Sequence, residues 1–140
     1  MERTLAIVKP DGVSGGLVGR VLSRIEKEGF RMAALRMVRL SRAEAEGFYA
    51  VHRDRPFFAS LTEFMSSGPA VVMVLEAPGA IGKWREVMGA TDPAKAAPGT
   101  IRREMASGIE RNVVHGSDAP GTAAFEISYF FRGLEVLPPG

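Results

Sequence analysis

Residues Ala70–Glu76 read AVVMVLE, the clearest candidate for a buried strand in this chain. The run is apolar up to its last residue and contains three valines, and β-branched residues fit the pleated surface of a sheet. Ser67–Pro69 precede it and Ala77–Gly79 follow it, and both segments contain Gly and Pro, which interrupt regular structure. The stretch therefore predicts a buried strand bounded by turns, around which the other elements are arranged.

Three more strands and five helices are predicted on the two sides of this strand. Helices are recognised by apolar residues at helical spacing and by capping residues, such as Ser41 with Glu44 at the capping-box distance. In chain order, the predicted elements are a strand over Thr4–Val8, a helix from Leu17 to Gly29, a strand over Met32–Leu40, a helix from Ser41 to about Val51, a helix from Pro56 to Met65, the strand Ala70–Glu76, a helix over Ile81–Met88, a strand over Asn112–His115, and a helix that Ser117 or Asp118 caps and that reaches about Phe131.

This order predicts an α/β (α+β) fold of the ferredoxin-like βαββαβ type. We expect a four-stranded antiparallel sheet with helices packed on one face, formed by a single domain over residues 1–140. A structureless loop is expected over Gly89–Arg103, before the last strand, and a loop of this length inside a compact domain is usually functional. The tail after Arg132 should be extended and peripheral.

The composition excludes several classes of protein. The formal net charge is only +2 despite a pI of about 9.3, which is too weak to indicate a nucleic-acid-binding protein. There are no cysteines, so disulfides, thiolate metal sites and cysteine nucleophiles are excluded. No signal peptide and no membrane span is predicted, and a cytoplasmic location is expected. Neither GxGxxG nor GxxxxGK[ST] occurs in a usable context, and two histidines without ligand spacing predict no metal site in the protein.

His115 is the most informative single residue, within the stretch NVVHGSDAP. It is predicted at the end of a strand and directly before a helix, where Gly116 would leave room for a large anion and the helix N-terminus would favour one. Neutral imidazole is a nucleophile near pH 7, and an acceptor such as Glu126 could hold its second nitrogen. The alternative is a half-buried structural histidine bound to a backbone carbonyl. The local sequence leaves both interpretations open.

Other candidate residues are ambiguous when taken one at a time. Lys9 could bind an anion or could be an ordinary lysine at a strand end, and the arginines could grip phosphate or could be solvated. Phe57, after a helix-opening proline, is more typical of a core position than of a stacking platform, and His52 is assigned to a solvated, charged loop. The residues in this group with an ordinary alternative are Lys9, Phe57, Arg85, Thr91, Arg102 and Asn112.

Taken together, the motifs resemble those of nucleoside diphosphate kinases over nearly the whole chain. The matching segments follow the order and spacing of that family, and NxxHGSD with an upstream PGTIR is the most specific pair. They are TLAIVKPDGV, GLVGRVLSRIEKEGF, FYAVHRDRPFF, EFMSSGPAVVMVLE, GATDPAKAAPGTIR and NVVHGSDA.

The resemblance implies a ping-pong transfer in which the γ-phosphate of a nucleoside triphosphate passes to His115 and then to a nucleoside diphosphate. It implies that Glu126, directly or through Ser117, orients the imidazole, and that Tyr49 lies near the transferred group. The nucleotide would be bound through phosphate, ribose and a base slot that does not read base identity. The residues implied for these contacts are Arg85, Arg102 and Thr91 for phosphate, Lys9 for phosphate and ribose, Asn112 for ribose, and Phe57, Leu61 and Val113 for the base.

The same resemblance implies Mg²⁺ that arrives with the nucleotide and a homo-oligomer, either a hexamer or a tetramer built from dimers. The sequence departs from the common family pattern at Ala119–Gly121, at Val51, where an acidic residue is frequent, and in a tail shorter than the eukaryotic form. These departures put a helix cap and contacts between subunits in doubt, but no catalytic position. Two alternatives stand beside this interpretation: a non-catalytic ferredoxin-like module that binds nucleic acid, and another histidine-dependent enzyme on this scaffold.

Overall fold

A computed structural model describes all residues 1–140, and its centre is a four-stranded antiparallel sheet with strand order β2-β3-β1-β4. β1 pairs with β3 along its whole length and with β4 at Ala6, Ile7 and Val8. β2 pairs with the other side of β3 and forms one edge of the sheet. The strands are β1 (Glu2–Val8), β2 (Arg31–Val38), β3 (Ala70–Ala77) and β4 (Val114–Gly116). The predicted ferredoxin-like βαββαβ fold is confirmed.

Seven α-helices and three short 3₁₀ turns connect and cover the strands. The helices are α1 (Pro10–Ser14), α2 (Val18–Lys27), α3 (Arg42–Phe48), α4 (Phe58–Met65), α5 (Ala80–Met88), α6 (Ile101–Met105) and α7 (Pro120–Phe130); the 3₁₀ turns are Ala50–His52, Pro93–Lys95 and Gly133–Glu135. None of these helices has the length and apolar character needed to cross a membrane.

Helices cover both faces of the sheet, so the expectation of helices on one face only was wrong. Alternate β3 residues face opposite sides: Met73 packs with α2 and α5, whereas Val74 packs with α3, α4 and α7. All eight residues of β3 are buried, and a strand buried on both faces reads as a continuous apolar run. The unbroken run AVVMVLE was therefore itself a sign of a second helical layer.

Several predicted boundaries need correction. The expected structureless loop Gly89–Arg103 contains the 3₁₀ turn Pro93–Lys95 and the first turn of α6, whose N-cap Thr100 accepts a hydrogen bond from the Arg103 N–H at 3.4 Å. α4 begins at Phe58 rather than at Pro56, which lies in the preceding turn.

The last strand and the last helix also begin later than predicted. β4 begins at Val114 because Val113 has a φ of 72°, which takes it out of the extended conformation. The N-cap of α7 is Ala119, whose N–H donates to Thr122 Oγ1 at 3.0 Å. Ser117 and Asp118 do not cap this helix, because their side chains are bonded elsewhere.

Candidate active site

A cavity of about 890 Å³ lies beside the C-terminal end of β1 and strand β4, and residues of α4, α5, α6, β4 and the loops between elements line it. Nine of the twelve predicted site residues contribute to its walls: Lys9, Tyr49, Phe57, Leu61, Arg85, Thr91, Arg102, Asn112 and His115. A smaller cavity of about 270 Å³, between α1 and the end of α4, holds none of them. The fold therefore brings residues that are distant in sequence together in one place.

His115 lies on β4 with its imidazole held by the first turns of α7. Its Nε2 lies 3.0 Å from Glu126 Oε1, and both side chains are mostly buried. Ser117 Oγ donates to the same carboxylate oxygen at 2.8 Å and accepts the Leu5 N–H at 3.1 Å. An ionised carboxylate accepts hydrogen bonds only, so the Nε2 atom carries the proton in the neutral ring and Nδ1 keeps its lone pair. Ser117 is fully buried and links this arrangement to β1.

Aromatic side chains enclose the histidine ring. The ring centroids of Phe48 and Tyr49 lie 5.5 Å and 6.3 Å from that of His115, both in edge-on arrangements. The Tyr49 hydroxyl is buried and makes no hydrogen bond within the protein. Burial, and secondarily the charge of Glu126, raises the pKa of Tyr49, which keeps this hydroxyl protonated as a donor.

Lys9 and Asn112 form a polar pair at the cavity floor. Lys9 Nζ donates to Asn112 Oδ1 at 2.8 Å, and both side chains are buried. The strained backbone at Val113 fixes this pair, because its N–H donates to Asp11 Oδ2 at 3.0 Å and its carbonyl accepts the Lys9 N–H at 2.7 Å. Burial first, and then the nearby Arg102, lowers the pKa of Lys9 to about 8.

Two arginines give the cavity its positive charge. Arg102 is buried, and its guanidinium donates to the carbonyls of Gly89 at 3.0 Å and Val114 at 2.8 Å, while its Nε has no acceptor in the protein. Burial, together with the charge of Arg85, lowers the pKa of Arg102 to about 10. Arg85 is exposed and pairs with Asp118 across the cavity mouth. Both groups are positioned to meet an anion.

An apolar slot lies at the end of the cavity away from His115. Phe57 and Leu61, from the start of α4, face this region together with Ile109. Phe57 is 45% exposed and Ile109 is 61% exposed, and with Leu61 they form a group of accessible apolar side chains within one cavity, where an apolar part of a ligand could bind.

Val113 does not line this slot, contrary to expectation. It is 1% exposed and belongs to the core under α5, and its side chain lies beside Gly12, because the positive φ turns the residue away from the cavity. Ile109 contributes the apolar wall instead. Its signal in the sequence was a lone β-branched apolar residue in the polar segment SGIERN.

Two further expectations change. His52 remains partly exposed but is not only a loop residue, because it lies in the 3₁₀ turn Ala50–His52 and lines the cavity, where its ring stacks on Tyr49 at a centroid distance of 6.4 Å. Gly116 lines the cavity as expected, but its main constraint is internal packing. A Cβ atom at Gly116 would lie 2.5 Å from Trp84 Cδ1 and 2.7 Å from Met88 Cε.

Comparisons with known proteins assign the chain to a family. Residues 2–136 match the family model of nucleoside diphosphate kinase. The chain is 66% identical over 137 residues to the nucleoside diphosphate kinase of Desulfosudis oleivorans and 59% identical to that of Desulfotalea psychrophila, in each case covering 98% of this chain and at least 99% of the relative.

Solved structures show the same relationship in three dimensions. The nucleoside diphosphate kinase of Aquifex aeolicus superposes with a TM-score of 0.95 at 47% identity, covering 97% of this chain and 99% of the other. That of Halobacterium salinarum, solved in complex with CDP, also has a TM-score of 0.95, at 41% identity, with 99% and 93% covered.

The fold and the matches define the chain as an enzyme of the phosphotransferase class. More specifically, the chain belongs to the nucleoside diphosphate kinase family.

Proposed function

We propose that the chain transfers the γ-phosphate of a nucleoside triphosphate to a nucleoside diphosphate in two half-reactions, through a phosphate carried on His115. The supporting observation is the contact between Nε2 of His115 and Glu126 at 3.0 Å, in a ring that lies at the cavity wall. This contact leaves Nδ1 as the nucleophile.

In the first half-reaction, the Nδ1 lone pair attacks the γ-phosphorus. A nitrogen–phosphorus bond forms, the bond between the γ-phosphorus and the β,γ-bridging oxygen breaks, and the nucleoside diphosphate departs. Glu126 stabilises the positive charge that develops on the ring, because it accepts the Nε2 proton in a charge-assisted hydrogen bond. In the second half-reaction, an oxygen of the acceptor's terminal phosphate attacks the same phosphorus and the nitrogen–phosphorus bond breaks.

The cations around the cavity provide the electrostatic part of catalysis in this proposal. Arg102 and Arg85 bind phosphate oxygens and neutralise charge that accumulates during transfer, and the Thr91 hydroxyl donates to the same phosphates. Arg102 is already immobilised by two backbone carbonyls, so little ordering is required when the phosphate binds. The buried Tyr49 hydroxyl, which lacks a partner in the protein, donates near the transferred group.

The sugar and base are bound by the rest of the cavity. Lys9 contacts phosphate and ribose, and Asn112 contacts the ribose, from the hydrogen-bonded pair that they already form. The base stacks on Phe57 and contacts Leu61, with Ile109 in place of Val113 as the third apolar wall. Every base can stack on an aromatic ring, so we expect the enzyme to accept a broad range of nucleotides. An enzyme with this range would maintain NTP and dNTP pools in the cytoplasm.

Mg²⁺ is expected to enter bound to the nucleotide and to neutralise part of the phosphate charge. No three His, Asp or Glu side chains of this chain lie close enough together to hold a metal ion. The carboxylates that line the cavity are those of Glu86, Glu110 and Asp118, and they do not form such a group. Such a cavity fits a largely hydrated ion whose main ligands are phosphate oxygens, and Asp118 would contact its waters.

We also propose a homo-oligomer, a hexamer or a tetramer assembled from dimers. β2 forms an edge of the sheet, and its side chains Leu35 and Met37 are 51% and 59% exposed. An exposed apolar edge strand favours pairing with another chain. Light scattering after size exclusion should give four or six chains for the wild type and smaller species for Met37→Lys, whereas a monomeric wild type would contradict this part of the proposal.

Two-substrate kinetics test the two half-reactions directly. When the triphosphate is varied at several fixed concentrations of the diphosphate, double-reciprocal plots should give parallel lines, because the first product leaves before the second substrate binds. Intersecting lines would mean that both nucleotides bind together, which this single cavity and a phosphorylated His115 do not allow.

A further inference from the structure

Glu110 is a cavity carboxylate that has no place in the transfer chemistry but is held in position by a hydrogen bond. Glu110 is half-buried and lines the cavity directly after Ile109, the apolar wall of the slot. Ser60 Oγ donates to Glu110 Oε1 at 3.0 Å, whereas Oε2 accepts no hydrogen bond from the protein. A carboxylate beside an otherwise apolar slot is costly unless its free oxygen meets water or a donor.

The hydrogen bond to Ser60 places this carboxylate at the base end of the cavity. Ser60 lies on α4 three residues after Phe57, the N-cap of that helix, so the two lie about one turn apart on the same side. The Ser60–Glu110 bond thus joins α4, which carries Leu61 and follows directly after Phe57, to the segment that carries Ile109. The charge of Glu110 also acts on Lys9 from this position.

We propose that Glu110 makes the enzyme discriminate between acceptor nucleotides by their base. A nucleoside diphosphate whose base carries an exocyclic amino group should have a higher kcat/KM than its counterpart without one. This inference rests on the proposed function, because it takes the slot between Phe57 and Ile109 as the base site. An ionised carboxylate only accepts hydrogen bonds, so the free Oε2 attracts an amino group and repels a keto oxygen. Stacking still admits every base, and Glu110 adds a preference on top of it.

The experiment compares nucleotides that differ in one amino group. With ATP as the donor, kcat/KM is measured for GDP against IDP, which lacks the 2-amino group, and for CDP against UDP, which has a keto oxygen instead of the 4-amino group. A partly exposed hydrogen bond to a carboxylate should favour the amino-bearing member of at least one pair by about fivefold. The pair that responds identifies the edge of the base that Glu110 meets.

Two isosteric variants separate base reading from a general change of charge. Glu110→Gln keeps the shape and an acceptor for Ser60 but removes the charge and adds a donor, so the preference should fall to about one or reverse. Glu86→Gln, the matched control, removes one negative charge from the same cavity on α5 and should leave the preference unchanged.

Several outcomes would overturn the inference. Wild-type ratios near one in both pairs would do so, and so would a preference that survives in Glu110→Gln. A Glu110→Gln effect on the ratio of ADP to 2′-deoxy-ADP, with base ratios unchanged, would mean that the carboxylate reads the sugar instead. A wild type that exchanges no phosphate with any nucleotide refutes the proposed function as well. An active wild type whose base preference is unchanged in Glu110→Gln refutes this inference alone.

Discussion

Replacing Glu126 with glutamine is the most informative test of how the histidine is oriented. The amide oxygen of the introduced side chain could still accept from Nε2 of His115, so the ring geometry can persist while the charge is lost. Hydrogen bonds to an ionised group are roughly twice as strong as neutral ones, a difference of about 1–1.5 kcal/mol. The ring attacks in its neutral form and becomes positive as the phosphate arrives, so most of this difference should fall on the transition state, which predicts about 5- to 10-fold slower phosphorylation of His115.

The assay is single-turnover phosphorylation by γ-labelled ATP without an acceptor, followed by rapid quenching. Ser117→Ala should slow the reaction less, because the carboxylate keeps its charge and loses only the bond of 2.8 Å that anchors it. Glu86→Gln removes a cavity carboxylate that does not contact His115 and should retain the wild-type rate. If Glu126→Gln phosphorylates within twofold of wild type, Glu126 does not support the nucleophile.

Three further predictions follow from the geometry. Between about pH 8 and 10.5 the unfolded chain keeps the Lys9 proton that the folded chain has lost, so the free energy of unfolding should rise with pH across this window by at most about 3 kcal/mol. Urea unfolding at a series of pH values should show this rise as a difference between wild type and Lys9→Met, and an identical pH dependence in both would contradict the burial argument. Phe57→Ala should raise KM for nucleoside diphosphates about tenfold through lost stacking, whereas Ala at the exposed Phe125, outside the cavity, should not; equal KM values would remove the base from this slot. Gly116→Ala should destabilise the protein by about 1–3 kcal/mol in urea, because the added Cβ collides with Trp84, and unchanged stability would show that the core yields there without cost.

The fold followed from local patterns because the strands of this chain are strongly marked. The apolar run AVVMVLE, between two segments that contain Gly and Pro, is typical of a buried strand. The capping box of Ser41 and Glu44 forms as its spacing predicts, with the Glu44 N–H donating to Ser41 Oγ at 3.0 Å. The number of helical layers was missed because it depends on which faces of β1 and β3 are buried. Continuous apolar runs carry that information, but periodicity alone does not reveal it.

The site was harder to predict at the level of individual side chains. Residues on strands and helices that the sequence pattern predicts, such as His115 on β4 and Arg85 on α5, line the cavity as expected. Val113 was predicted to line the base slot because it is an apolar residue next to a strand. A positive φ is rare for a β-branched residue, so nothing in the sequence indicated that Val113 turns away from the cavity and that Ile109 lines it instead. His52 was misassigned because a single 3₁₀ turn, too short to show periodicity, decides its direction.

The most direct test of the account is the identity of the phosphorylated atom. The purified protein, incubated with γ-labelled ATP and Mg²⁺ and no acceptor, should acquire about one acid-labile label per chain. Peptide mapping and phosphorus NMR should place that label on Nδ1 of His115, and a nucleoside diphosphate should remove it completely. Label on another residue, label on Nε2, or a His115→Ala protein that still exchanges phosphate between nucleotides would contradict the central claim.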